Sequence, residues 1–110
     1  MSRWSAAVLV VATALAAPGC KKPKAEDCEA GIRNWFTLIY WEEAEKEIAA
    51  APPEQRDAVR AAKLADRDKK LAEGMELSVR QCRAAGDFAG VKCMKAARTA
   101  AQARACRPAK

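Results

Sequence analysis

Four of the five cysteines, Cys28, Cys82, Cys93 and Cys106, lie beyond residue 27 of a 110-residue chain that has no histidine, and their pairing is the strongest constraint on how it can fold. None of them forms a C-x-x-C pair, so a thiolate zinc site lacks its usual spacing. The missing imidazole excludes His-dependent triads and the c-type haem motif. Aromatics supply only 5% of the residues and alanine much of the apolar half, so any core is thin. A core of this size supplies only about 3 to 5 kcal/mol, and covalent staples are expected. In an oxidising compartment four cysteines are an even set and pair into two disulfides. Loop-closure entropy gives roughly 4 to 4.5 kcal/mol for a bridge from Cys28 to either Cys82 or Cys106 and about 3 kcal/mol for the bridge left over. Energy therefore leaves two pairings nearly tied. Cys82 and Cys93 each stand about a turn from Gly86-Asp87, which leans the expectation towards that short bridge with Cys28–Cys106. The alternative is Cys28–Cys82 with Cys93–Cys106 across the short hinge at Arg98-Thr99.

The N-terminus supplies the compartment. Arg3 is followed by the apolar run Ala6 to Ala17, about twelve residues against the roughly 20 that a membrane-spanning helix needs. This is the layout of a secretion signal over residues 1–19. Its end, Ala17-Pro18-Gly19-Cys20, resembles a bacterial lipobox, with Gly19 in its usual place and Ala17 and Pro18 off the usual pattern. The resemblance implies diacylglycerol on the Cys20 thiol and cleavage just before it; the alternative is ordinary secretion after cleavage near Ala16. Residues 20–26 read as a polar linker behind the anchor. Its lysines suit an anionic lipid surface, where each would add about 1 kcal/mol; the alternative is a leader that is merely solvated.

The mature chain reads as all-α: a long helical hairpin plus two short C-terminal helices, within a domain spanning 27–107 and ending in a frayed tail at 108–110. Cys28, Ile32, Trp35 and Ile39 make one helical stripe in a first helix over Asp27–Ala50. Pro52-Pro53 stops it. A second helix over Glu54–Ala84 places Leu64, Leu71, Met75, Val79 and Cys82 on one face, with Asp68 inside that stripe and Gly74 as a weak point. Two short helices follow, over Phe88–Ala97 and from the Thr99/Gln102 capping box to Cys106.

Charge follows this plan. The first helix is acidic, with Glu26, Asp27, Glu29, Glu42, Glu43, Glu45 and Glu47 against Arg33 and Lys46, whereas from Arg80 onwards Asp87 is the only acid among the bases. Mutual packing of these parts is the expected use of the charge. Nucleic-acid binding is not expected, because no aromatics interleave the bases. Nor is an enzyme, a metal site or a cofactor. Ser78 is the only serine of the helical region, Asp68 has no second acid beside it and is expected to pair with an Arg or Lys, and a helix points the Glu42–Glu47 run in several directions.

The lipobox, the helical pattern, the four cysteines and the run Lys92-Cys93-Met94-Lys95-Ala96-Ala97-Arg98-Thr99 leading to Cys106 together resemble the small four-cysteine, all-helical lipoproteins of bacterial envelopes. The resemblance implies a disulfide-stapled module on a lipid anchor, facing the periplasm or exterior, and implies no activity. An envelope structural or protein-interaction module is the leading expectation, an inhibitor or ligand-binding module the alternative. Large aromatics dominate binding hot spots, and Trp41, about 120° round the helix from Trp35, is the candidate partner contact together with Leu38. Burial of both between neighbouring helices is the ordinary reading.

Overall fold

The computed structural model describes residues 22–106. Pro23 and Lys24 are followed by α1, Ala25–Ala50, whose Glu26 and Asp27 place negative charge in the first turn, where the helix dipole favours it. Pro52 disfavours helical geometry at the residue before it, and Ala51 is extended at φ −75°, ψ 151°. Pro53 then opens a single 3₁₀ turn, Pro53–Gln55, that leads into α2, Arg56–Ala85. Gly86 ends α2 in the left-handed region at φ 65°, a conformation that costs glycine little. Asp87 caps α3, Phe88–Ala96, by accepting from the Gly90 amide at 2.9 Å. In the hinge before α4, Ala100–Ala105, the Thr99 hydroxyl accepts from the Gln102 amide at 3.1 Å. Gln102 Oε1 reaches back one residue further than a standard capping box, to the Arg98 amide at 2.8 Å.

The fold is all-α among the described residues: a long helical hairpin with two short helices, stapled by two disulfides. α1 begins at Ala25 and Pro23 is buried, so the linker expected to reach residue 26 is shorter than its composition implied. α2 runs through Gly74 without interruption. α1 is the element against which the others pack. It buries Cys28, Gly31, Ala44 and Ile48, and meets Leu71 of α2, Val91 of α3 and Ala103 of α4 in the core. Small residues dominate that set, as the alanine-rich composition required.

Gly31 sets how closely α3 can lie. A Cβ built there would stand 3.3 Å from Met94 Cβ and 3.4 Å from the Val91 carbonyl oxygen. Asn34, one turn on, donates to the carbonyls of Met94 at 2.7 Å and Ala97 at 2.8 Å, which are among the carbonyls a helix end leaves without partners. Trp35 Nε1 donates to the Ala103 carbonyl at 2.9 Å and fixes α4 in the same way.

This placement corrects the favoured cysteine pairing. The bridges are Cys28–Cys82, with Cα atoms 6.0 Å apart, and Cys93–Cys106, at 5.6 Å. α3 leaves the end of α2 to lie on α1, which separates Cys93 from Cys82. The short hinge is extended at Ala97 and Thr99, and so returns Cys106 to Cys93.

The α2 stripe also differs from its sequence reading. Leu71 is buried, but Leu64 is 43% exposed and the Asp68 side chain 61% exposed. Asp68 pairs with Arg67 at 2.8 Å. In this half of the hairpin α2 turns cations to α1: Arg60 bonds Glu45, and Lys63 pairs with Glu47.

Candidate functional site

Because α2 and the α3–α4 pair lie on different sides of α1, a groove remains between them. Ile32, Trp35 and Ile39 form its floor, Ser78 and Cys82 part of one wall, Met94 and Arg104 part of the other. It encloses about 640 Å³ and is mainly apolar. The bond from Trp35 to Ala103 ties floor to wall, and both disulfides border the groove through Cys82 and Cys106. It is thus a covalently braced concavity. Size and lining of this kind suit an apolar side chain or short segment.

Arg104 supplies the charge at its rim. It pairs with Glu42, whose carboxyl this hydrogen bond and charge hold below the usual carboxylate range, and the pair raises the arginine in turn. Asp27 is matched to Lys95 at 2.8 Å and is lowered by the same two effects. The acidic first helix and the basic C-terminal helices therefore meet through these two pairs.

The Glu42–Glu47 run is divided by helix geometry. Glu42 faces α4, Glu43 pairs with Lys46 on its own helix at 3.3 Å, and Glu45 and Glu47 face α2. Among the described residues no cluster of three or more His, Cys, Asp or Glu is arranged to hold a metal ion.

Of the residues singled out in the sequence, Cys20 lies outside the described residues. Trp41 and Leu38 are both half-buried and neither lines the groove. Trp41 stands beside α2, with the Arg67 guanidinium carbon 5.9 Å from its ring centroid and the Tyr40 ring edge-on at 5.9 Å. Tyr40 donates to Asp66 Oδ2 at 2.7 Å; Asp66 in turn pairs with Lys70 at 3.1 Å. Burial and this acceptor push the Tyr40 phenol up to about 12. Sequence reasoning read Trp35 and Ile39 as members of one helical stripe and so missed the groove above them. The signal for it was Gly31 and Asn34, a small residue and an amide that admit α3 beside α1 instead of beside α2.

Comparisons with protein-family models, with curated proteins and with solved structures find no match to this chain. No described helix is long and apolar enough to cross a membrane.

Proposed function

We propose that the chain is a lipid-anchored protein of the bacterial envelope, acylated on Cys20 and facing the periplasm or exterior, whose helical module serves a structural or protein-interaction role and not a catalytic one. The observation that carries this reading is Cys20 itself, standing after Gly19 at the end of a short apolar run. The two disulfides support it, because such bonds persist in oxidising compartments outside the cytosol. The lack of histidine supports a non-catalytic role. The braced groove favours a second reading, a module that binds an apolar ligand or a segment of an envelope partner.

Metabolic labelling with a fatty-acid analogue tests the anchor. The wild type should be labelled and Cys20→Ala should not; equal labelling of both, or of neither, removes the anchor from the reading. A pull-down of the lipidated protein from envelope extract tests the interaction role, with bulky substitution of groove-lining Ser78→Trp as the control for the second reading. Loss of a captured partner in that variant alone assigns the groove.

A further inference from the structure

We propose that the end of the module around Pro23 and Phe88 is a membrane-contact face, laid on an anionic phospholipid surface with the α1–α2 hairpin standing away from it. The proposal rests on acylation of Cys20 and goes on to say how the anchored module sits.

The path of the chain carries it. Pro23 is buried, and its carbonyl accepts from Arg83 Nε at 3.2 Å, so the chain is docked on the module from this residue onwards. Only Lys21 and Lys22 separate it from Cys20. Three residue steps span at most about 10 Å, so an acyl anchor on Cys20 holds this end of the module against the bilayer. The other end, at the Pro52-Pro53 turn, lies the length of α1 away, about 40 Å for its 26 residues.

The chemistry of the held end fits that position. Phe88 is 52% exposed and borders the same shallow depression as Pro23 and Val91. Lys92 and Lys95 line it as well, and Lys22, Lys24 and Arg83 are exposed beside it. Asp27 also lines the depression and pairs with Lys95, Asp87 accepts from the Gly90 amide, and Glu26 is exposed one residue from Asp27. The cations Lys22, Lys24, Arg83, Lys92 and Lys95 still outnumber these acids, so what faces outward is an aromatic ring in a net positive surround. Aromatic rings settle at headgroup level, and lysines near the surface are drawn to anionic lipid.

The test uses the full chain expressed in a bacterium and purified as the processed protein. Wild type and Phe88→Trp are reconstituted in phosphatidylethanolamine–phosphatidylglycerol vesicles carrying brominated acyl chains, and mass spectrometry of the same samples reads the N-terminus. With Cys20 acylated, the emission that Phe88→Trp adds over the wild-type background of Trp35 and Trp41 should be blue-shifted and quenched. The quenching should weaken when phosphatidylcholine replaces phosphatidylglycerol. Acylated Cys20 with no added quenching overturns the contact face and leaves the anchor standing. Unmodified Cys20 overturns the anchor and this proposal together. Quenching indifferent to lipid charge overturns the anionic preference.

Discussion

The side-chain amide of Asn34 donates to the carbonyl of Ala97 at 2.8 Å, and through this bond and its partner to Met94 α1 closes the end of α3. The bonds cross about sixty residues of sequence and join elements that loops alone would leave free to move. Truncating Asn34 leaves two part-buried carbonyls without a donor. Asn34→Ala is expected to cost about 1 to 3 kcal/mol, read from denaturant midpoints. Hydrogen exchange should locate the loss in α3 and the Ala97–Thr99 hinge, with α2 little changed.

Gly31 predicts a second, sterically caused loss. Alanine there gains helix propensity and meets Met94 Cβ at 3.3 Å, two effects of opposite sign. Leucine has no such balance. Gly31→Leu should push α3 outward and cost about 1 to 3 kcal/mol by overpacking, while Gly74→Leu, with open space at its Cβ position, should cost far less. Equal melting temperatures for the two variants would show that α3 does not lie against Gly31.

The two disulfides should differ in both worth and accessibility. Cys28–Cys82 closes a separation of 54 residues and Cys93–Cys106 one of 13, for which chain entropy gives about 4 and about 3 kcal/mol. Cys28 is fully buried, whereas Cys93 is exposed. Graded reduction followed by alkylation and peptide mapping should therefore open Cys93–Cys106 first. Losing that bridge should leave the hairpin folded; losing Cys28–Cys82 should open its base.

The pairing was out of reach of the sequence for a physical reason. Loop entropy changes only with the logarithm of loop length, so two arrangements that share a long and a short bridge look alike. What separates them is the landing site of α3, fixed by Gly31 and Asn34, whose roles appear only when a partner helix is beside them. Helix existence was legible because prolines and glycines punctuate the chain strongly: Pro52-Pro53 and Gly86-Asp87 mark turns that the structure contains. The α2 stripe misled at Leu64 because an apolar residue on the α1 side is covered only where α1 offers something to cover it. There α1 presents Glu45 and Glu47, and Arg60 and Lys63 answer them.

Tyr40 gives the hairpin an alkaline limit. The phenol is the only one in the chain, so phenolate absorbance reports it alone, and burial with the Asp66 acceptor raises it from 10.0 to about 12. A group raised in the fold stabilises while it is protonated in both states. Its contribution is whole below pH 10.0 and disappears as the pH rises towards about 12. Asp66, lowered chiefly by the Tyr40 hydroxyl and then by Lys70, behaves oppositely: its contribution is whole above the usual carboxylate range and is lost in acid. Tyr40→Phe should remove the alkaline loss and let Asp66 titrate closer to its ordinary value. A phenolate transition near pH 10.0 in the folded wild type, the unperturbed value, would contradict the Tyr40–Asp66 bond.

Trp41 helps to hold the outer half of the hairpin. Beyond Glu42 the polar links to α2 are the pairs Arg60–Glu45, exposed, and Lys63–Glu47, part exposed, together with the Arg56 guanidinium bonded to the carbonyls of Ala49 and Ala51. Exposed pairs contribute about 0.2 to 1 kcal/mol each, so apolar contact must supply much of the rest, from the buried Ala44 and Ile48 and from Trp41, the largest side chain available for it. A fully buried tryptophan costs about 3 to 5 kcal/mol when cut to alanine. Half-buried beside Arg67, Trp41 should cost about 2 kcal/mol, with the Arg67→Ala and Trp41→Ala losses less than additive because the two share one contact. Urea denaturation of the single and double variants measures both quantities. A negligible loss for Trp41→Ala, paired with loss of an envelope partner or of vesicle binding, would instead make this ring the partner contact that its place in the sequence first marked out.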